Sequence, residues 1–499
     1  MSEHGSFSEQ ASIYDETDTG SVGRVVLIAS VAALGGFLFG YDSAVINGAV
    51  AAVTDEFNVA PGPLGFAVAS ALLGAAFGAL TAGKFADRFG RLFTMKIAAV
   101  LFLVSAIITG LAPNLALFII GRIVGGVGVG VASVIAPAYI AEVSPARIRG
   151  RLGSLQQLAI VTGIFLSLLV DFVLARAAGG SRNELWLGLE AWRWMFLAMV
   201  VPALAYGLLT LTIPESPRYL IATYRIPEAR KILSSLLGEH GVDIKVNRIR
   251  ETLQHEKPPS WADLRAPRTG LLPIVWVGLG LSVFQQFVGI NVIFYYSNVL
   301  WEAVGFSEND SFVITVITSA VNIATTVIAI ASIDRFGRRP LLLIGSVGMA
   351  VTLGIMAVIF GFAPVNAEGA PQLSGASGPI ALIAANLFVV AFGMSWGPVV
   401  WVLLGEKFPN RIRAAALAFA ASGQWVANWL ITVSFPALSD ASLGLAYGFY
   451  SVCAVLSFFF VLRWVKETKG KELEEMHAGV APPSSSTDVD TTTETGGGR

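Results

Sequence analysis

Two ionisable residues stand inside apolar sequence. Asp42 lies in Phe39-Gly40-Tyr41-Asp42-Ser43-Ala44-Val45-Ile46-Asn47-Gly48, and Arg122 lies in Gly121-Arg122-Ile123-Val124-Gly125-Gly126. Charge within an apolar run is expensive, and the groups found there mark proton relays, ion paths or paired contacts. Burial favours the protonated form of a carboxyl group, whereas a guanidinium nearby favours the carboxylate. An acid and an arginine whose separation changes with conformation therefore take up a proton in one state and release it in another. The alternative is a static ion pair joining two helices. It is the poorer reading, because buried pairs contribute little net stability. Asp171, near the outer end of a later apolar run, reads as a solvated edge position.

A second set of polar residues carries no charge. Gln285, Gln286, Asn291, Tyr295 and Tyr296 share one apolar run, and Asn322 falls in the next. Trp396 and Trp401 share another, as do Gln424, Trp425 and Asn428, while Gln156 and Gln157 add two amides from the first half of the chain. Carboxamides donate and accept hydrogen bonds at once, which suits a ligand bearing many hydroxyls. Indole faces suit the C–H faces of a sugar ring. A single such amide reads as a contact between helices, contributing about 0.6–2 kcal/mol. A cluster confined to a few runs points instead to a site for a polyol.

The elements that position these groups are runs of about 20 apolar residues, long enough to cross a bilayer as helices. Six fall near 25–51, 63–83, 93–112, 115–141, 153–177 and 192–213, and six more near 271–300, 311–333, 340–363, 378–404, 413–435 and 444–464. Open strand edges are not tolerated in lipid, so the runs are expected to be helical. The first run is expected to travel outward and the fourth inward. At a rise of about 1.5 Å per residue, Asp42 and Arg122 both come to roughly 12–15 Å below the outer surface.

Composition agrees. Charged residues make up 13% of 499 and hydrophobic residues 55%, with mean hydropathy +0.69. Lipid must be the solvent for much of that surface. A net charge of −1 gives no argument for a nucleic-acid partner. The one cysteine, Cys453, excludes an intramolecular disulfide, and four histidines, all in polar or tail segments, argue against a metal centre. No nucleophile–base set appears among the polar positions, so an enzyme is not expected. Met1–Gly20 is polar and acidic, without the pattern of a cleaved signal peptide, and the first run is expected to be retained. Gly121–Gly130 is dense in glycine. It lacks the strand and polar loop of a nucleotide site, so it reads as a surface for close helix packing.

The chain also repeats itself. Asp87-Arg88-Phe89-Gly90-Arg91 returns as Asp334-Arg335-Phe336-Gly337-Arg338, and Glu142-Val143-Ser144-Pro145-Ala146-Arg147-Ile148-Arg149 returns as Glu406-Lys407-Phe408-Pro409-Asn410-Arg411-Ile412-Arg413. Repeats offset by about half the chain imply two homologous membrane halves. Basic residues crowd these repeat loops and thin out in the alternate ones, which places both termini and the repeats on the cytoplasmic side. The organisation expected is a polar tail (1–22), a six-helix half (23–214), cytoplasmic linker helices (215–268), a second six-helix half (269–466) and a Ser/Thr/Gly-rich tail (467–499) that reads as mostly disordered.

From about Val25 to Lys471 the chain resembles the sugar porter family of the major facilitator superfamily, and within it most of all the bacterial D-xylose:proton symporters. The resemblance rests on Gly83–Arg91, Gly121–Gly130, Pro214-Glu215-Ser216-Pro217-Arg218, Gln285-Gln286-Phe287-Val288-Gly289-Ile290-Asn291, Met394-Ser395-Trp396-Gly397-Pro398-Val399, Gln424-Trp425-Val426-Ala427-Asn428, Asp334–Arg339 and Glu467-Thr468-Lys469-Gly470. It implies a twelve-helix, all-α carrier in the cell membrane that imports a pentose, hexose or inositol with a proton, by alternating access. No cofactor beyond the coupling proton is implied, and a monomer is expected. Gln157, Gln285, Gln286, Asn291, Tyr295, Trp396, Gln424 and Asn428 match sugar-contacting positions, with Asn322 peripheral. Phe39 and Trp425 match cavity-lining aromatics, and Asp42 and Arg122 match the proton-coupling pair. Asp87, Arg91, Glu142, Arg149, Glu215, Arg218, Arg338, Glu406 and Arg413 match the cytoplasmic ion-pair network that locks the outward-open state.

Three departures qualify the resemblance. Leu92 replaces the family's second basic residue, Met199 stands where the xylose symporters carry a glutamate, and Ile164 replaces a sugar-proximal glutamine. The last leaves hexose or inositol open. A facilitative uniporter is the rival with the same fold. A non-transporting sugar sensor is the rival from another class, and the short tail after about Lys471 speaks against it.

Overall fold

In the computed structural model, residues 22–238, 241–255, 261–266, 270–364, 372–408 and 412–467 are described. Twelve helical segments among them are long and apolar enough to cross a membrane, six in each half. The first half contains α1 (Val22–Ala44), α2 (Ile46–Glu56), α3 (Pro61–Phe89), α4 (Arg91–Gly110), α5 (Leu115–Val143) and α6 (Ala146–Ala178). A short hairpin, β1 (Glu184–Trp186) with β2 (Leu189–Glu190), leads to α7 (Ala191–Leu197) and α8 (Val200–Leu209). The segment joining the halves carries α9 (Pro217–Ala222), α10 (Ile226–Leu237), α11 (Val242–His255) and a 3₁₀ turn (Trp261–Leu264). The second half contains α12 (Pro273–Phe287), α13 (Ile290–Ala303), α14 (Glu308–Phe336), α15 (Arg338–Gly361), α16 (Ser377–Gly393), α17 (Trp396–Lys407), α18 (Arg413–Ala441) and α19 (Leu443–Trp464).

Four crossings are broken, a feature the apolar pattern does not reveal. The first breaks at Val45 between α1 and α2, the sixth between α7 and α8, the seventh at Val288–Gly289 between α12 and α13, and the tenth at Met394–Ser395 between α16 and α17. Gly289 has φ +81°, a left-handed conformation that glycine adopts without penalty, and the Tyr450 ring fills the space a Cβ would need. Interrupted membrane helices are tolerated where they border a cavity or neighbouring protein, and transporters place their sites at them.

Close packing in the first half rests on the glycines expected to serve it. A Cβ on Gly74 or Gly78 would strike the backbone of Ile123 or Val127 on α5, and one on Gly126 or Gly130 would strike Ala71 or Ala75 on α3. Helices α3 and α5 therefore touch main chain to main chain. Across the halves, α3 packs on α18 and α6 on α14. Large apolar side chains such as Leu27, Phe77, Val201 and Ile344 point outward, as lipid-facing positions should.

Candidate functional site

The Asp42–Arg122 pairing that equal depth allows is formed. Asp42 closes the last turn of α1 just before the break, and Arg122 sits in the second turn of α5. The two side chains are 1% and 2% exposed, and Arg122 Nη1 lies 3.5 Å from Asp42 Oδ1. The same nitrogen donates to the backbone carbonyl of Asp42 at 2.9 Å. Among the described residues, neither carboxylate oxygen nor Arg122 Nε has a hydrogen-bond partner. The guanidinium is thus anchored on the main chain and only loosely held by the carboxylate. Protonating Asp42 would remove the ion pair and leave Arg122 in place. Gly125 makes room for the acid, since a Cβ there would stand 2.8 Å from Asp42 Oδ1.

The amides of the second half form a chain that starts just before the break in the seventh crossing. Gln285 Nε2 donates to the carbonyls of Trp396 (2.8 Å) and Gly397 (3.1 Å) at the start of α17. Gln286 Nε2 approaches Gln285 Oε1 at 3.5 Å, and Asn291 Nδ2 donates to Gln286 Oε1. The Trp396 indole is wholly buried and donates to Leu342 O (3.1 Å) and Ser346 Oγ (2.9 Å). Trp396 and Gln285 therefore fix the chain, while Gln286 and Asn291 form its free end.

Further groups converge on this end. Asn428 is buried on α18, and its Oδ1 accepts from Thr432 Oγ1 at 3.1 Å. Gln424, one turn earlier, is half-buried, and its Oε1 has no partner among the described residues. The Tyr295 hydroxyl lies beside both Asn428 and Ser43, the residue after Asp42. One phenol thus connects the amide set to the helix carrying the acid. Phe39 and Trp425 meet across the halves with ring centroids 5.9 Å apart. Gln157 is half-buried on α6, and its neighbour Gln156 is buried against Gly36. Asn322 is buried on α14 and faces Gly393 of α16. It sits at a helix contact beside the amide chain, not within it.

Two expectations fail. Asp171 is 0% exposed, not solvated: α6 turns it inward, and its carboxyl packs on Gly48 of α2, where a Cβ would stand 2.8 Å away. Trp401 is 43% exposed on the outer face of α17, away from the amides. Both errors come from reading position along a helix without reading its facing. Ser43 and Asn47, four residues apart on one face, were not anticipated as contacts between halves. Their polarity in an otherwise apolar run was the available signal.

At the end of the first half that carries the repeated charged motifs, Arg91 grips Glu142 through two bonds (Nε–Oε2 3.1 Å, Nη2–Oε1 3.0 Å) and pairs with exposed Asp87 at 3.2 Å. Glu215 accepts the backbone N–H groups of Arg91 (3.1 Å) and Leu92 (3.2 Å), capping α4. Such a cap meets free amides at the positive end of the helix. In the second half Glu467 caps α15 in the same way, accepting from Arg338 (3.1 Å) and Arg339 (2.9 Å). Leu92 therefore leaves the cap intact, whereas Arg339 adds a bond to Leu462 O at 3.0 Å. Arg338 is buried, and Arg218 is half-buried at the start of α9. The side chains of Arg149, Asp334, Glu406 and Arg413 lie outside the described residues.

Twelve crossings in two pseudo-symmetric halves, with broken helices around a central polar site, define a membrane transporter of the major facilitator superfamily. Residues 28–479 match the family described as Sugar (and other) transporter, and the chain belongs to that family of sugar carriers. It is 57% identical over 460 residues to a glucose transport protein of Synechocystis sp., covering 92% of this chain and 98% of that one. It is 39% identical to the D-xylose-proton symporter of Escherichia coli, covering 92% and 96%. The inward open conformation of the E. coli xylose transporter XylE superposes with a TM-score of 0.77 at 39% identity, covering 91% of this chain and 99% of that chain.

Proposed function

We propose that this carrier imports a hexose, glucose in the first instance, together with a proton across the cell membrane, with both termini in the cytoplasm. The observation that supports the coupling is the buried Asp42–Arg122 pair, with Ser43 and Tyr295 lying between it and the amides proposed to bind the sugar. In this reading Asp42 takes a proton from the outside and the ion pair to Arg122 weakens. Sugar hydroxyls bind Gln286, Asn291, Gln424, Asn428 and Gln157. The loaded carrier then reorients and Asp42 loses its proton to the cytoplasm as its carboxylate turns back onto Arg122. Arg122, held by the Asp42 carbonyl, stays in position throughout.

Hexose is favoured over pentose by two features: the high identity to a glucose transport protein, and Ile164 in place of a sugar-proximal glutamine of the xylose symporters. The test is uptake into proteoliposomes of a panel of pentoses, hexoses and inositols, with and without an inward proton gradient. Gradient-driven glucose accumulation that competing xylose barely reduces is expected. Equilibration without accumulation would reassign the chain as a uniporter.

A further inference from the structure

Asn47, in the first turn of α2, is 1% exposed and joins the two halves on the outer side of the proton pair. Its Nδ2 donates to the backbone carbonyl of Phe294 at 3.0 Å, and its Oδ1 accepts the backbone N–H of Asn298 at 3.0 Å. Phe294 and Asn298 are four residues apart on α13, so they are the two ends of one helical rung. A carboxamide is suited to both ends, because it carries a donor and an acceptor on one carbon. The Asn298 side chain turns the other way, with Thr315 Oγ1 of α14 at 2.8 Å from its Oδ1. One turn below Asn47, Ser43 lies beside the Tyr295 hydroxyl. Asn47 therefore makes the hydrogen bonds to α13, and the same segment carries Asp42. Further out, Ser181 N–H meets Glu308 Oε1 at 2.9 Å, so the halves also touch beyond this point.

We propose that Asn47 is the latch that holds the outer side of the carrier shut, and that it positions α13 against the helix bearing Asp42. It is a positioning residue and not a sugar ligand. Its partners are main-chain groups of α13, so the latch depends on Asn47 itself and not on the side chains opposite. When the outer side opens, the two bonds must break together. Their strength then sets how much of the population is closed to the outside. The inference rests on the alternating-access reading above.

The test uses the full chain in right-side-out vesicles with Cys453→Ser, which leaves no native thiol. Val50→Cys, on α2 one turn beyond Asn47 and 1% exposed, reports outer opening through labelling by a membrane-impermeant methanethiosulfonate. Asn47→Ala should speed labelling by about tenfold, as expected for losing two buried hydrogen bonds from the closed state. It should slow saturated uptake while leaving sugar affinity in detergent unchanged. Asn47→Asp keeps the shape and the acceptor but donates only when protonated. Its labelling should therefore fall toward that of the parent as external pH is lowered, each compared at the same pH, while Asn47→Ala shows no such recovery. Unchanged labelling in Asn47→Ala would overturn the proposal, as would Asn47→Asp matching Asn47→Ala at every pH. Labelling needs neither a gradient nor net transport, so failure of the coupling reading would show separately, as uphill accumulation surviving Asp42→Asn.

Discussion

At the ends that carry the repeated motifs, the two halves do the same thing with the same groups: Glu215 caps α4 and Glu467 caps α15, each through two backbone amides. At mid-membrane they differ. The first half presents an acid and an arginine, Asp42 and Arg122, where the second presents Gln285, Gln286 and Asn291. The difference separates two kinds of work. Symmetric parts carry the rocking of the halves, which any cargo needs. In the proposed mechanism the charged site would respond to protons, and the neutral amides would recognise hydroxyls without titrating.

This division can be broken most decisively at the acid. Asp42→Asn should reduce accumulation from about tenfold per unit of pH gradient, the ceiling for one proton per sugar, to simple equilibration. Sugar exchange between preloaded vesicles should persist, and concentration ratios measured with labelled glucose check both. Gly125→Ala addresses the same half without touching charge. Its Cβ would press on both Ser105 Oγ and the Asp42 carboxylate, so accumulation should fall while exchange survives, as measured in the same assay.

The amide half should respond in the opposite manner. Gln286→Ala is expected to weaken glucose binding by about 1–3 kcal/mol, read from tracer competition, because a buried hydrogen-bonding partner is lost. The accumulation ratio at saturating sugar should not change. If Gln286→Ala abolished coupling with affinity intact, the division of labour would be wrong.

Smaller effects are expected where the halves agree. Glu215→Gln and Glu467→Gln should each lower the thermal unfolding temperature by a similar amount, since each replaces a charged cap accepting two N–H groups. Unequal losses, with Glu215→Gln the more damaging, would indicate that Leu92 leaves its half less supported. Trp401→Ala should change neither affinity nor accumulation, because that indole faces outward.

Much of this was legible in the sequence, and the remainder was not for identifiable reasons. Apolar length places the crossings well: the first run, expected near 25–51, spans Val22–Glu56, and the tenth, expected near 378–404, spans Ser377–Leu404. Repeated motifs reveal the two halves because both ends must build the same cap. Depth puts Asp42 and Arg122 level, yet their pairing depends on facing, which a run of uniformly apolar neighbours does not encode. Asp171 and Trp401 went astray for that reason. The breaks at Val45 and Gly289 escaped because hydropathy is blind to backbone dihedrals. The Ser43–Tyr295 and Asn47–Asn298 contacts join positions some 250 residues apart, far beyond any local pattern.

The proposed coupling makes proton binding at the Asp42–Arg122 pair obligatory for net sugar movement. Its most direct test is to add glucose to weakly buffered proteoliposomes without an imposed gradient and record external pH and sugar entry together. The expected result is alkalinisation outside, one proton per sugar, that disappears in Asp42→Asn while sugar exchange continues. Sugar entry with no proton movement in the unsubstituted carrier, or proton movement that survives Asp42→Asn, would contradict it.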